Sequence, residues 1–340
     1  MKATIRDLAN YSGVSTSTVS RVLTGNGSVS KQARERVEEA IRTTGYVPNG
    51  FARGLVNKRR HLIAAIVPEQ YNPYYDPIVE EINEVALQNG YSLVLISETG
   101  KTCRSTVEKV IEMGIDGLLH LGALEGDDVV PLLIRNEVPV VLLCRHLSTV
   151  DADAVLFDDQ ATSFMATEYL IQLGHRKIAY IYGRRNSLSS REKYLGYAAA
   201  LEKHGISVDA GLVGYGNLDM SESYHVMNEF LSARDAGCLS FTAVVAGNDL
   251  MLFGAREAVL KRGLRIPEDL SMIGMDGIEW CAIQGVELTT VSVPKREMGR
   301  RACELLLKRI ENPKGKHEVQ ILETQLKIRK SCCERRGDAL

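Results

Sequence analysis

The sequence predicts a small all-α head followed by two α/β lobes, each a parallel sheet with helices on both faces. Three observations lead there. Residues 1–60 hold 11 Lys and Arg against four acids, a net of +7, whereas the remaining residues carry −9 of a total of −2. At Leu62 the pattern changes from helical spacing to short β-branched runs alternating with amphipathic stretches. That alternation lasts for about 270 residues, more than one core comfortably holds, so it divides in two.

The head reads as three short helices. Thr4 caps the first, with Asp7 three residues on as the reciprocal acid of a capping box. Ile5, Leu8 and Ala9 form its apolar stripe. Gly13 supplies the turn, because only glycine enters the left-handed region without steric cost. Ser15 or Thr16 starts a second helix with Val19, Val22 and Leu23 on the buried side. Gly25-Asn26-Gly27 breaks the chain. Ser30 caps a third helix in which Ala33, Val37, Ala40 and Ile41 recur at helical spacing. Gly45 ends it, and Pro48 marks a boundary. Asn49–Leu55 has the length for about two helical turns, weakened by Gly50 and Gly54, and so needs a partner surface to become ordered.

In the body, strands are expected at Leu62–Val67, Tyr91–Ser97, Gly117–Leu121, Val140–Cys144, Ala154–Phe157, Lys177–Ile181, Ala243–Ala246, Ser271–Gly274 and Thr289–Val293. Helices are expected near Pro77–Gln88, Thr102–Met113, Asp159–Leu173, Arg191–His204, Ser221–Leu231, Leu250–Arg262 and Lys295–Ile310. Strictly repeated β–α alternation means parallel strands covered on both faces.

Composition narrows the function. Apolar residues are 45% and charged residues 25%, the values of an ordinary globular chain. No apolar run approaches the roughly 18 residues of a membrane helix, and no secretory leader is visible. Seven scattered cysteines suit a reducing cytoplasm better than a disulfide framework. G-x-G-x-x-G, phosphate-loop, H-E-x-x-H, C-x-x-C and G-x-S-x-G signatures are absent, so no enzyme, cofactor or metal site is expected. Cys332-Cys333 alone is weak evidence for metal binding, and His175 reads as structural.

A basic head on an acidic body predicts contact with a polyanion. Helix, glycine turn and second helix within about 20 residues is the helix-turn-helix arrangement, whose second helix fits the DNA major groove. Here that helix presents Ser15, Thr16, Ser17, Thr18, Ser20 and Arg21. Hydroxyls bond phosphates or base edges, and an arginine grips guanine at two atoms. The alternative is a generic three-helix bundle with a polar face.

Open parallel sheets bind ligands beyond the carboxyl ends of their strands. Asn72, Tyr74 and Tyr75 follow the first strand, Arg145 follows the fourth, and Ser189 and Arg191 precede the next lobe's first crossover helix. Asn248-Asp249 and Asp276-Gly277 follow two later strands. Aromatic faces with amide, guanidinium and carboxylate groups suit a polyhydroxylated ligand such as a sugar. Taken singly, each reads more readily as a capping or surface group, and the tyrosines as ordinary aromatic core.

Thr4–Ala9, Gly13-Val14-Ser15, Ser17–Leu23, Gly45–Asn49 and Ala52–Leu55 together resemble the head and hinge of LacI/GalR-family transcriptional regulators, and the likeness runs to about residue 329. The resemblance implies a homodimer on double-stranded operator DNA. The expected DNA-facing residues are Thr4, Ser15, Thr16, Ser17, Ser20, Arg21, Asn49, Arg53 and Leu55. Leu55 matches the hinge leucine that wedges into the minor groove. The resemblance also implies a body similar to periplasmic sugar-binding proteins, with a small-molecule effector between two Rossmann-like lobes. It places Arg145, Ser189, Arg191, Asn248 and Asp276 at effector positions, and Leu218 where an aromatic often closes the cleft. Cys144 and Val293 stand where Asp and Gln are frequent, which implies a more apolar rim.

The expected domains are a helix-turn-helix domain at 1–48 and a hinge at 49–60. One lobe comprises 61–161 and 292–323, the other 162–291 and 324–330, with a polar tail at 331–340. The expected function is a cytoplasmic repressor of carbohydrate-utilisation genes, without membrane contact. A phosphoprotein or nucleobase co-regulator, or a solute-binding protein, is the alternative.

Overall fold

The computed structural model describes residues 3–24, 28–46, 59–68, 72–97, 103–126, 128–145, 147 and 150–335. The chain divides into two units, Met1–His61 and Leu62–Leu340. The hinge at 49–60 falls largely outside the described residues, and Asn49, Arg53 and Leu55 fall wholly outside them.

The first unit contains α1 (Ile5–Ser12), α2 (Thr16–Thr24) and α3 (Lys31–Thr44). The expected capping box is present: Asp7 N–H donates to Thr4 Oγ1 at 3.3 Å, and Thr4 N–H donates to Asp7 Oδ2 at 2.7 Å. Gly13 stands at φ 66°, and its N–H closes on the Ala9 carbonyl. Ser30 caps α3 and Gly45 ends it at φ 61°. Leu8, Val19, Val37 and Ala40 are fully buried and hold the three helices together, with Ile5, Val22, Leu23 and Ile41 packed at their edge.

The second unit contains two six-stranded sheets. In chain order its elements begin with β1 (Leu62–Val67), α4 (Asp76–Gln88), β2 (Ser92–Ser97), α5 (Cys103–Glu112), β3 (Gly117–His120), α6 (Val129–Arg135), β4 (Val140–Leu143) and β5 (Asp153–Phe157). There follow α7 (Asp159–Gln172), β6 (Ile178–Tyr182), α8 (Leu188–Lys203), β7 (Val213–Tyr215), α9 (Met220–Asp235), β8 (Ala243–Ala246), α10 (Asp249–Lys261) and β9 (Ser271–Asp276). The unit closes with β10 (Thr289–Ser292), α11 (Lys295–Glu311), β11 (Val319–Leu322) and β12 (Gln325–Lys327).

One sheet runs β11-β5-β4-β3-β1-β2 and the other β12-β10-β9-β8-β6-β7. Every pairing is parallel except β10 with β12. β1 is an unbroken apolar run because both of its faces are covered, and it pairs in register from Leu62–Ser92 to Val67–Ser97. The chain passes between the sheets three times: after β5, after β10 and between β11 and β12. α7 then packs Ala166, Leu170 and Ile171 on the second sheet. α11 returns to the first, against α4, β3, β4 and β5.

Among the described residues, the structure adds one α-helix and three strands to those expected: α6, β7, β11 and β12. It also corrects the polar tail, because residues 331–335 are built into the second sheet's lobe. Ser331 is buried, and its hydroxyl donates to the Met272 carbonyl at 2.6 Å while accepting from Thr289 N–H at 2.8 Å. Cys332 Sγ lies 3.2 Å from the same carbonyl, and Arg335 N–H reaches Leu173 O at 2.8 Å. His175 is structural as expected: Nδ1 lies 2.9 Å from Thr242 Oγ1 and Nε2 3.3 Å from Cys333 O. Burial holds its pKa below the ordinary imidazole value.

Candidate functional site

In the first unit, α2 divides into two faces. Val19, Val22 and Leu23 turn inward, while Thr16, Ser17, Ser20 and Arg21, spaced i, i+1, i+4 and i+5, lie exposed on the opposite side. Ser15 precedes the helix and accepts from Thr18 N–H at 3.2 Å. Its hydroxyl also lies 2.7 Å from Ser17 Oγ and 2.9 Å from Thr18 Oγ1. The first turn is thus a row of hydroxyls followed by a guanidinium. Such a row offers donors and acceptors to base edges and phosphates together. Thr4 is exposed at the start of α1, with its hydroxyl engaged by Asp7.

In the second unit, the strand ends line a narrow cleft, placed as small-molecule sites of open parallel sheets are, beyond the carboxyl ends of the strands. From the first sheet's side come Asn72, Tyr74 and Tyr75 after β1, Cys144 and Arg145 after β4, and Phe157 at the end of β5. From the second come Tyr180 and Gly183, then Ser187, Ser189, Ser190 and Lys193 around the start of α8. Leu218, Gly247, Asn248 and Asp276 complete the wall. Three of these stand at positive φ: Cys144 at 64°, Leu218 at 63° and Asp276 at 115°. Non-glycine residues persist there only where surrounding contacts over-determine them.

Local roles and cleft roles overlap. Asn248 caps α10, its Oδ1 accepting from Met251 N–H at 2.8 Å, and it also lines the cleft. Asn72 Oδ1 likewise accepts from Tyr74 N–H at 3.0 Å. Tyr74 and Tyr75 are both core residues and cleft lining, their rings edge to face at 5.0 Å. Tyr74 Oη lies 3.3 Å from Cys144 Sγ, and Arg145 donates to Gly122 O at 3.2 Å.

Arg191 is a correction. It is exposed on α8 and does not line the cleft. The cation from that helix is Lys193. Its Nζ donates to Gly247 O at 3.0 Å and stands 3.7 Å from Asp159 Oδ1 and 3.8 Å from Asp276 Oδ1. The signal was available in the helix period. Ser190, Lys193, Tyr197 and Leu201 share the buried side of α8, and position 191 points away. Asp249, adjacent to the expected Asn248, also lies outside the cleft wall. It accepts from Ile278 N–H at 2.9 Å and Thr290 Oγ1 at 2.7 Å and so braces the turn after β9.

Burial lifts the Asp276 carboxyl to about 7 and the Asp159 carboxyl to about 6, with Lys193 pulling both the other way. Burial also lifts the Cys144 thiol to about 12, so it is a weakly polar wall and not a nucleophile. A mixed aromatic, amide and paired-charge lining satisfies a neutral, hydroxyl-rich ligand better than an apolar one.

A helix-turn-helix unit joined in one chain to a two-sheet domain with a polar cleft defines the class of ligand-responsive DNA-binding regulators. Residues 4–49 match the model of bacterial regulatory proteins of the lacI family. Residues 60–332 match that of periplasmic binding proteins and the sugar binding domain of the LacI family. The chain belongs to the LacI family.

Among its relatives, the ribose operon repressor of Escherichia coli K12 is 33% identical over 316 residues, covering 92% of this chain and 94% of that protein. The HTH-type transcriptional repressor PurR of Vibrio atlanticus is 30% identical over 329 residues, covering 96% and 97%. Among solved structures, a lac repressor dimer bound to operator and the anti-inducer ONPF superposes with a TM-score of 0.86 at 28% identity, covering 98% of this chain and all of that one. The complex of the transcriptional regulator CelR with cellobiose gives 0.75 at 31% identity, covering 97% and 100%. Among the described residues no helix is long and apolar enough to cross a membrane.

Proposed function

We propose that this chain is a repressor of carbohydrate-utilisation genes that acts as a homodimer on a near-palindromic operator and answers to a sugar-class effector in the cleft. The observation that carries it is the pairing in one chain of an exposed hydroxyl–arginine face on α2 with a cleft lined by aromatics, amides and paired charges. The relatives that carry ribose-operon and cellobiose names support the effector class. The lac repressor dimer on operator supports the assembly.

On this reading Thr16, Ser17 and Arg21 read bases, while Thr4, Ser15, Ser20, Asn49 and Arg53 hold phosphates and Leu55 wedges into the minor groove. Asn72, Tyr74, Tyr75, Arg145, Ser189, Leu218, Asn248 and Asp276 hold the effector, together with Lys193. The lobes run 61–161 with 292–323 and 162–291 with 324–330, the latter extended by 331–335, behind a head at 1–48 and a hinge at 49–60, and the protein works in the cytoplasm. Effector binding changes DNA affinity only through a difference in effector affinity between the DNA-competent arrangement and the other one. The three passages between sheets are where such arrangements differ.

The test is selection of a binding site from random duplexes, followed by fluorescence anisotropy with and without D-ribose, cellobiose, ribose 5-phosphate, hypoxanthine and guanine. A selected palindrome bound at nanomolar strength, with affinity falling steeply in salt, supports the DNA reading. A shift of that affinity by either neutral sugar supports the effector class. A shift by the purines alone moves the assignment to a nucleobase regulator, the second reading that the PurR likeness favours.

A further inference from the structure

Lys295 is the first residue of α11, immediately after the crossover from β10, yet its side chain is buried. Its Nζ donates to Asp276 O at 2.6 Å and Gly277 O at 2.8 Å, with Val293 O at 3.5 Å. The ammonium also lies 5.8 Å from the Tyr74 ring centre. α11 packs on the first sheet's lobe, whereas Asp276 ends β9 of the second. One cation therefore ties the turn that presents the cleft carboxylate to the helix of the opposite lobe.

That turn needs holding. Asp276 at φ 115° and Gly277 at φ 68° are two successive residues in the left-handed half of backbone space. A Cβ on Gly277 would meet Ser292 Oγ at 2.3 Å and Ser292 Cα at 2.7 Å, so the turn is pressed against the crossover strand. Asp249 and Thr290 fix the turn from within its own lobe, through Ile278 N–H at 2.9 Å and Gly277 N–H at 3.2 Å. From the crossover, Val293 N–H lies 3.3 Å from Asp276 O, and the Lys295 ammonium adds a side-chain donor to the same carbonyl. A buried ammonium at three carbonyls is a costly group to place, and it is satisfied only while that turn keeps its shape.

We propose that Lys295 is a positioning residue for the effector site: it holds the Asp276–Gly277 turn against the crossover, so that the placement of the Asp276 carboxylate depends on how the two lobes meet. This rests on the reading of Asp276 as an effector contact, but its test needs no effector. Lys295→Met and Lys295→Arg are compared with the parent as full-length, ligand-free protein. Hydrogen exchange is read at the amides of Gly277, Ile278 and Val293, with β8 as the internal reference. Lys295→Met is expected to speed exchange at those three amides at least about tenfold with β8 unchanged, and Lys295→Arg to restore them to within about threefold. Carboxyl-carbon titration of Asp276, assigned by its loss in Asp276→Asn, is expected to show a higher midpoint in Lys295→Met, because a neighbouring cation has gone.

Unchanged exchange in Lys295→Met overturns the proposal, as does loss of protection throughout β8 and β9, which marks a simple core residue. An unmoved Asp276 midpoint overturns it too. Should Lys295→Met fail to fold, Lys295→Arg decides alone: exchange within threefold of the parent supports the proposal and a tenfold rise sinks it. Failure of the effector reading is a separate result, a normal effector response in Asp276→Asn with the turn still protected.

Discussion

Lys193 and Asp276 face each other across the cleft floor at 3.8 Å, Nζ to Oδ1, close enough to share charge and too far to share a hydrogen bond. Lys193 spends one donor on Gly247 O, and Asp159 Oδ1 accepts no hydrogen bond among the described groups although it stands 3.7 Å from the same ammonium. A ligand hydroxyl about 2.8 Å from both Nζ and Asp276 Oδ1 would complete a bond to each. Lys193→Met is therefore expected to weaken effector binding by about 10- to 150-fold, the value of one charged hydrogen bond of roughly 1.5–3 kcal/mol. Operator affinity without effector should stay as in the parent. Calorimetric titration with whichever screened compound shifts operator binding checks this, and an unchanged affinity removes Lys193 from the site.

Asp276 also predicts a pH dependence. Its carboxyl is lifted by burial from 3.8 to about 7, against the pull of Lys193 and Lys295 and with the push of Asp249 and Asp159. Between those values the native state keeps a proton that the unfolded chain has released. The stability this group contributes is complete below about pH 3.8 and is lost as pH rises through about 7. Asp276→Asn cannot ionise. Its melting temperature relative to the parent should therefore be higher at pH 8 than at pH 6. Equal differences at the two pH values would mean that Asp276 is not held protonated by its surroundings.

What the sequence made legible follows from how strongly each segment is buried. β1 and β8 are read to the residue because both of their faces are covered and every position is apolar. β7, β11 and β12 are edge strands of three or four residues with exposed positions, so no apolar run betrays them. α6 hides in Val129–Arg135 because two valines and Pro131 argue for strand or loop, whereas proline is tolerated in a first turn. In the cleft, strand-end logic finds Asn72, Arg145, Asn248 and Asp276. It misses Lys193, which sits on a helix and reaches the cleft only through that helix's inward face.

Asp153 and Arg309 join the first lobe's β5 to α11. Asp153 is fully buried and accepts from Arg309 Nε at 2.6 Å, Arg309 Nη2 at 3.0 Å and Glu318 N–H at 2.8 Å. Arg309 further donates to Gly315 O at 2.5 Å and Lys316 O at 2.8 Å, which sets the approach to β11. Removing one partner of such a pair strands a buried charge, at a cost of about 3–5 kcal/mol. Asp153→Ala should lower the denaturation midpoint of the effector domain accordingly. A loss below about 1 kcal/mol, the range of an exposed pair, would show that water already reaches this site.

Arg21 closes the exposed row on α2 and makes no contribution to the buried side formed by Val19, Val22 and Leu23. Arg21→Ala is therefore expected to leave folding intact, with circular dichroism and melting temperature as in the parent. A guanidinium bonded to a base edge is worth about 1–3 kcal/mol, so operator affinity should fall roughly 5- to 150-fold, and preference at one base pair of each half-site should relax. A phosphate contact gives a different result: uniform weakening on all sequences and a salt slope reduced by about one. Anisotropy titrations at several salt concentrations, on the selected operator and on single-base variants of it, separate the two. Loss of affinity without loss of base preference would reassign Arg21 from reading sequence to holding the backbone.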